Sequence, residues 1–82
     1  MHYVYFLVCS DGTPYIGCTE NLKERISRHK RGDVLSTKNK LPVKLVSYVA
    51  LCDKYVAFKF EKYLKSGSGR AFISKHNLIP KD

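Results

Sequence analysis

From Tyr3 to Cys9 almost every position is apolar or aromatic. A run that short, rich in β-branched and aromatic residues, predicts a strand covered on both faces. Asp11-Gly12 marks a hairpin turn, and Pro14 to Cys18 forms the returning strand. Thr19 is placed to cap a helix from about Glu20 to Lys30, with Glu20 favourable in its first turn. Gly32 stops that helix. Asp33 to Lys40 is polar and basic and reads as a loop. After Pro42, a second apolar run from Val43 to Cys52 predicts a third strand, with a central place in the sheet. Asp53 caps a helix running to about Lys65, Gly67-Ser68-Gly69 breaks it, and Arg70 to Asn77 reads as a last short helix before Pro80. The order ββα-β-αα predicts an α+β fold, a small antiparallel sheet with helices packed on it, in one domain over residues 1–82.

The helical faces select the residues able to do chemistry. At 100° per residue, Leu22, Arg25, Ile26 and His29 fall within an arc of about 100°. Arg25 and His29 are one turn apart and point the same way, at the border of the buried stripe. The plainer reading is a pair of surface residues on a basic helix. On the second long helix, Val56, Ala57, Phe60, Tyr63 and Leu64 make an apolar arc of about 120°. Glu61 lies just outside it, at the rim of the core, where a carboxylate suits a divalent metal. The plainer reading there is an ion pair with Lys65 at i, i+4 spacing.

The tyrosines set a condition on the hairpin. Side chains alternate along a strand, so Tyr3, Tyr5 and Leu7 share one face. A two-residue Asp11-Gly12 loop would pair Val8 with Tyr15 and send Tyr5 and Tyr15 to opposite faces. An odd-length loop or a bulge brings them together, and a three-residue loop from Asp11 to Thr13 is enough. Each tyrosine taken alone also reads as a core aromatic with its hydroxyl at the edge.

Composition narrows the partners. Lys plus Arg is 15 against 7 for Asp plus Glu, a formal net charge of +8 over 82 residues. Such an excess favours polyanions, nucleic acid before an acidic membrane surface. The N-terminus has neither the basic start of a signal peptide nor the length of a membrane helix, so no membrane role is expected. Cys9, Cys18 and Cys52 are odd in number and lack CxxC spacing, which argues against disulfides and a zinc site. They are expected to be small buried hydrophobes in a reducing cytoplasm.

Taken together, Tyr3-Val4-Tyr5, Tyr15-Ile16-Gly17, the run Asn21-Leu22-x-x-Arg25-x-x-x-His29 and Phe60-Glu61-x-x-Leu64-Lys65 resemble the GIY-YIG nuclease superfamily, especially its small single-domain members. Tyr3 stands where that family has its first glycine. The resemblance implies a three-stranded antiparallel sheet flanked by helices and cleavage of DNA phosphodiester bonds with one Mg²⁺ or Mn²⁺ ion. By the same resemblance, Glu61 binds the metal and Arg25 neutralises the scissile phosphate. Tyr5 or Tyr15 orients or deprotonates the attacking water, His29 relays the proton, and Gly17 keeps the approach open. Asn77 is the candidate for an asparagine that many members carry near the C-terminus.

Lys23, Arg28, Lys30, Arg31, Lys38, Lys40 and Arg70 supply a phosphate track. The chain lacks any helix-turn-helix or zinc-finger pattern, so recognition of branched, damaged or single-stranded DNA is expected, in repair or recombination, with a protein partner or a homodimer as further expectations. Two other classes compete: a catalytically inactive nucleic-acid-binding module of the same fold, and an interaction protein whose basic surface meets RNA or an acidic partner.

Overall fold

The computed structural model describes residues 1–80. The first apolar run forms β1 (His2–Val8), the second β2 (Pro14–Thr19), and the run after Pro42 forms β3 (Lys44–Leu51). All pairings are antiparallel and the order is β2-β1-β3. The central strand is therefore β1, whose Val4, Tyr5, Phe6 and Leu7 are all buried. The expected central place of β3 is wrong. It is an edge strand with Lys44, Tyr48 and Ala50 exposed, so its apolar run covers one face and part of a rim.

The hairpin meets the register condition by a different loop. The Cys9 N–H donates to the Thr13 carbonyl at 2.9 Å and the Gly12 N–H to the Cys9 carbonyl at 3.0 Å. Gly12 has φ +83°, so the loop is Ser10 to Gly12, a turn ending in a left-handed residue, one position earlier than Asp11 to Thr13. Odd length is what matters: Tyr5 pairs with Gly17 and Leu7 with Tyr15, and both tyrosines face the same side.

Helix α1 (Leu22–Lys30) is capped by Asn21, whose side chain accepts the Glu24 N–H at 3.1 Å. Thr19 does not cap it. That residue still belongs to β2, and its hydroxyl holds the Asn21 N–H at 3.1 Å. Gly32, at φ +80°, ends the helix as expected. Asp53 caps α2 (Lys54–Leu64) with bonds from the Tyr55 and Val56 N–H groups.

Gly67-Ser68-Gly69 is not a break between helices but the first turn of α3 (Gly67–Lys75), capped by Ser66. Gly69 is there for packing: a Cβ would run into the Tyr63 carbonyl and the Leu64 backbone. Asn77 follows α3 at φ 55°. Its N–H donates to the Ser74 carbonyl and the next N–H, of Leu78, to the Ile73 carbonyl, the double bond that closes a helix through a left-handed residue.

The sheet is buried on both faces. Tyr5, Leu7, Tyr15 and Leu45 pack with Ile26 and Leu22 of α1 on one side. Val4, Phe6, Ile16 and Cys18 pack with Ala57, Leu64 and Ile73 of α2 and α3 on the other. Of the cysteines, Cys9 is buried, Cys18 half-buried and Cys52 exposed, so the last is not the buried hydrophobe expected. Among the described residues no helix is long and apolar enough to cross a membrane.

Candidate active site

The register of the hairpin lays the Tyr5 ring across Gly17, its partner on β2. A Cβ at Gly17 would overlap the Tyr5 hydroxyl and ring. Gly17 thus serves close approach, and Gly17→Ala forces a fully buried ring to shift. Overpacking of this kind costs about 1–3 kcal/mol, to be read as a lower urea midpoint. An unchanged midpoint would show that the ring has room to move.

Tyr5 and His29 are both fully buried, and the Tyr5 hydroxyl lies 2.9 Å from His29 Nε2. His29 Nδ1 lies 2.8 Å from the Thr37 hydroxyl. Both neighbours are hydroxyls, so a neutral imidazole is satisfied in either tautomer. Burial, then the nearby Arg25 and Arg28 charges, hold the His29 pKa below its ordinary value. Burial and the Tyr15 neighbour push Tyr5 up to about 12, against the pull of Arg25. His29 is therefore not the solvent-bordering residue that its place on the helical wheel suggests.

That burial has a consequence for stability. A histidine held neutral in the fold stabilises it fully above the unfolded value of 6.5 and progressively less as pH falls below it. Thermal melts of the wild type are expected to drop from pH 6.5 downward, and His29→Gln to flatten that drop. An equally steep drop in the variant would assign the acid sensitivity to another group.

Tyr15 is half-buried, with its ring centroid 6.2 Å from Tyr5 and 5.0 Å from His29. Arg25 is half-buried too, and its Nε is buried without a hydrogen-bond partner among the described residues. Glu61 comes from the opposite face, on α2, where Lys65 Nζ donates to its Oε2 at 3.0 Å. β2 is an edge strand, with α1 on one face of the sheet and α2 on the other. Cys18 on that strand senses both groups: burial, then the Glu61 charge, raises its thiol pKa, and Arg25 opposes them. The structure thus brings Tyr5, Tyr15, Arg25 and His29 into one cluster, while Glu61 lies on α2 in the other layer, its charge reaching Cys18 of β2.

The profile of the GIY-YIG catalytic domain matches residues 1–77. This chain belongs to that family. A UPF0213 protein of Streptococcus agalactiae is 37% identical over 78 residues, covering 90% of this chain and 89% of that protein. One from Clostridium perfringens is 41% identical over 66 residues, covering 79% of this chain and 71% of that protein. The solution NMR structure of a UPF0213 protein from Bacillus halodurans superposes with a TM-score of 0.60 at 32% identity, covering 96% of this chain and 87% of that one. The GIY-YIG domain is that of a nuclease family, whose substrate is DNA.

The donor set of this GIY-YIG domain suits a hard cation. No group of three or more His, Cys, Asp or Glu side chains gathers among the described residues. Glu61 offers one carboxylate at the rim of the core, its side chain 23% exposed. Magnesium is often held by one or two carboxylates with waters and substrate phosphate completing its shell. The unpartnered Arg25 Nε points equally to an anionic ligand.

The cationic residues of the domain fall into separate groups. Lys23 and Lys30 line a hollow on the β3 side of α1. Arg28 is on the other flank, near His29. Arg31 is paired with Asp33 at 3.0 Å, and Lys40 reaches the Thr13 hydroxyl at 3.5 Å. Lys38 is exposed in the loop after α1. Arg70 shares a hollow of about 590 Å³ with Tyr15 and Lys65. Asn77 terminates α3 through its backbone, which accounts for an asparagine there without chemistry. Thr37 is the residue that the sequence did not announce. It is 1% exposed inside a polar loop, and only the need of His29 for a partner could have pointed to it.

Proposed function

We propose that this chain is a divalent-metal-dependent endonuclease that cuts DNA by recognising structure, in branched, damaged or single-stranded regions, as repair or recombination requires. The observation that carries the reading is the cluster of Tyr5, Tyr15 and His29 beside edge strand β2, with the charges of Arg25 and Glu61 both reaching Cys18 on that strand. A cation, a carboxylate and a partly exposed tyrosine suit a phosphodiester and its attacking water.

In this reading Arg25 binds the scissile phosphate, and its buried Nε gains the hydrogen bond that it lacks. Tyr15, half-exposed, meets the water and orients or deprotonates it. Tyr5 supports Tyr15 from beneath: it has no exposure of its own, and with a pKa near 12 it keeps its proton. His29 fixes the Tyr5 hydroxyl and offers a neutral nitrogen for a proton moving inward. Glu61 would hold Mg²⁺ or Mn²⁺, releasing Lys65 towards the hollow that it shares with Tyr15. When bound, the ion polarises the phosphate and stabilises the leaving oxygen.

The test is incubation with branched, flapped, single-stranded and plain duplex DNA with Mg²⁺ or Mn²⁺, comparing the wild type with Glu61→Ala. Cutting by the wild type of branched or single-stranded substrates alone supports the reading. Binding without metal-dependent cutting on any substrate would leave an inactive DNA-binding module of the same fold.

A further inference from the structure

The flank of α1 away from Arg25 carries a second feature. An open hollow of about 520 Å³ lies between α1 and β3, lined by Tyr3, Tyr48, Leu45, Ile26, Lys23 and Lys30 among others. Neither tyrosine belongs to the catalytic cluster. Tyr48 is 55% exposed, and Tyr3 meets it edge-on with centroids 6.1 Å apart.

The hollow is built by an irregularity in β3. Phe6 pairs with Ser47 but Leu7 with Leu45, so Val46 is an extra residue in the edge strand. Val46 packs into the core on the α2 side, and Ser47 donates to the Leu78 carbonyl at 2.6 Å. Without the bulge, strict alternation would put Leu45 and Tyr48 on opposite faces. With it, Leu45 lines the same hollow as Tyr48.

The chemistry of the lining is specific in kind. An exposed tyrosine face offers a stacking surface, Leu45 and Ile26 supply an apolar floor, and two lysines stand beside them. One carboxylate, Glu20, also lines the hollow, with its side chain 79% exposed to solvent and 3.8 Å from His2 Nε2. An aromatic platform joined to cations suits a nucleotide whose base is unstacked, since every base has a π-face and every link a negative charge. A duplex has its base faces already covered, so it cannot use the platform.

We propose that the hollow between α1 and β3 binds an unpaired nucleobase of single-stranded DNA, with Tyr48 as the stacking surface and Lys23 and Lys30 as contacts to the flanking phosphates. The proposal rests on the nuclease reading above and deepens it. One helix, about 10 Å wide, separates the hollow from Arg25, so one DNA molecule spans both. A single-stranded arm held here marks out a branched or flapped substrate and sets the strand presented to the β2 edge.

The experiment is fluorescence anisotropy without divalent metal, using a labelled oligothymidylate and a duplex of equal length. Tyr48→Ala is expected to weaken single-strand binding about tenfold or more and to leave duplex binding unchanged. Tyr48→Phe, which keeps the ring, is expected to bind as the wild type does. Replacing both Lys23 and Lys30 by Gln should reduce the single-strand log-log salt slope by about 1.4. Equal single-strand binding by Tyr48→Ala and wild type overturns the proposal while the nuclease reading stands. So does a change in sedimentation of Tyr48→Ala with no change in DNA affinity, which would assign this edge to a second copy of the chain. If the wild type binds neither DNA, the DNA reading falls and the proposal with it.

Discussion

Glu61→Ala is expected to lower metal-dependent cleavage by at least about 10³-fold while changing the unfolding free energy by about 0.5 kcal/mol at most. The two magnitudes follow from different roles of one side chain. In the resting structure Glu61 makes a single ion pair with Lys65, whose side chain is 56% exposed. Pairs of that kind on a helix surface contribute only tenths of a kcal/mol. If Glu61 is also the protein's hold on the metal, its loss removes several kcal/mol of transition-state stabilisation. Lys65→Ala is the control, because it breaks the same ion pair and keeps the carboxylate. Its stability loss should match that of Glu61→Ala, with cleavage remaining far above that of the Glu61 variant. Metal-dependent cleavage by Glu61→Ala at the wild-type rate would remove Glu61 from the site.

The contrast bears on how far the residues themselves disclosed the molecule. Local signals carried well: the β1 run, the Gly32 stop and the Asp53 cap all stand where expected, because each is decided within a few residues. Failures came where tertiary contact outvotes local chemistry. Thr19 has the chemistry of a cap, but pairing with Tyr3 keeps it in the sheet and passes the cap to Asn21. Gly67-Ser68-Gly69 has the composition of a break, yet α3 must approach Tyr63 so closely that only glycine fits at position 69. An apolar run like that of β3 cannot reveal that one flank lacks a neighbouring strand.

The candidate site shows the same division. Alternation along β1 and β2 stated the condition for Tyr5 and Tyr15 to share a face, and the odd-length hairpin satisfies it. The depth of His29 was not legible, because it depends on a loop folding over α1 to deliver Thr37. Nor could helical spacing say that the charges of Glu61 and Arg25, on opposite layers, both reach Cys18 on β2. Strand order decides that, and strand order was the element left without a local signal.

Arg25→Met is expected to reduce cleavage by about 10²–10³-fold while leaving thermal stability unchanged or higher. Most arginines that border a core repay their burial through hydrogen bonds, but the Nε of Arg25 is buried without one. Such an unmet donor costs about 1–3 kcal/mol in the free protein. Methionine keeps much of the apolar stem and removes both the unmet donor and the charge. The guanidinium also lowers the His29 pKa, so its removal makes the fold less sensitive to acid. A buried donor that gains its partner only when an anion binds suits a site shaped for its ligand. Two measurements separate this from a structural role: melting temperature without DNA, and the rise in that temperature on adding DNA without metal. The wild type should gain more from DNA than Arg25→Met does. If Arg25→Met instead melts well below the wild type, the arginine belongs to the architecture of α1, and the phosphate needs another cation.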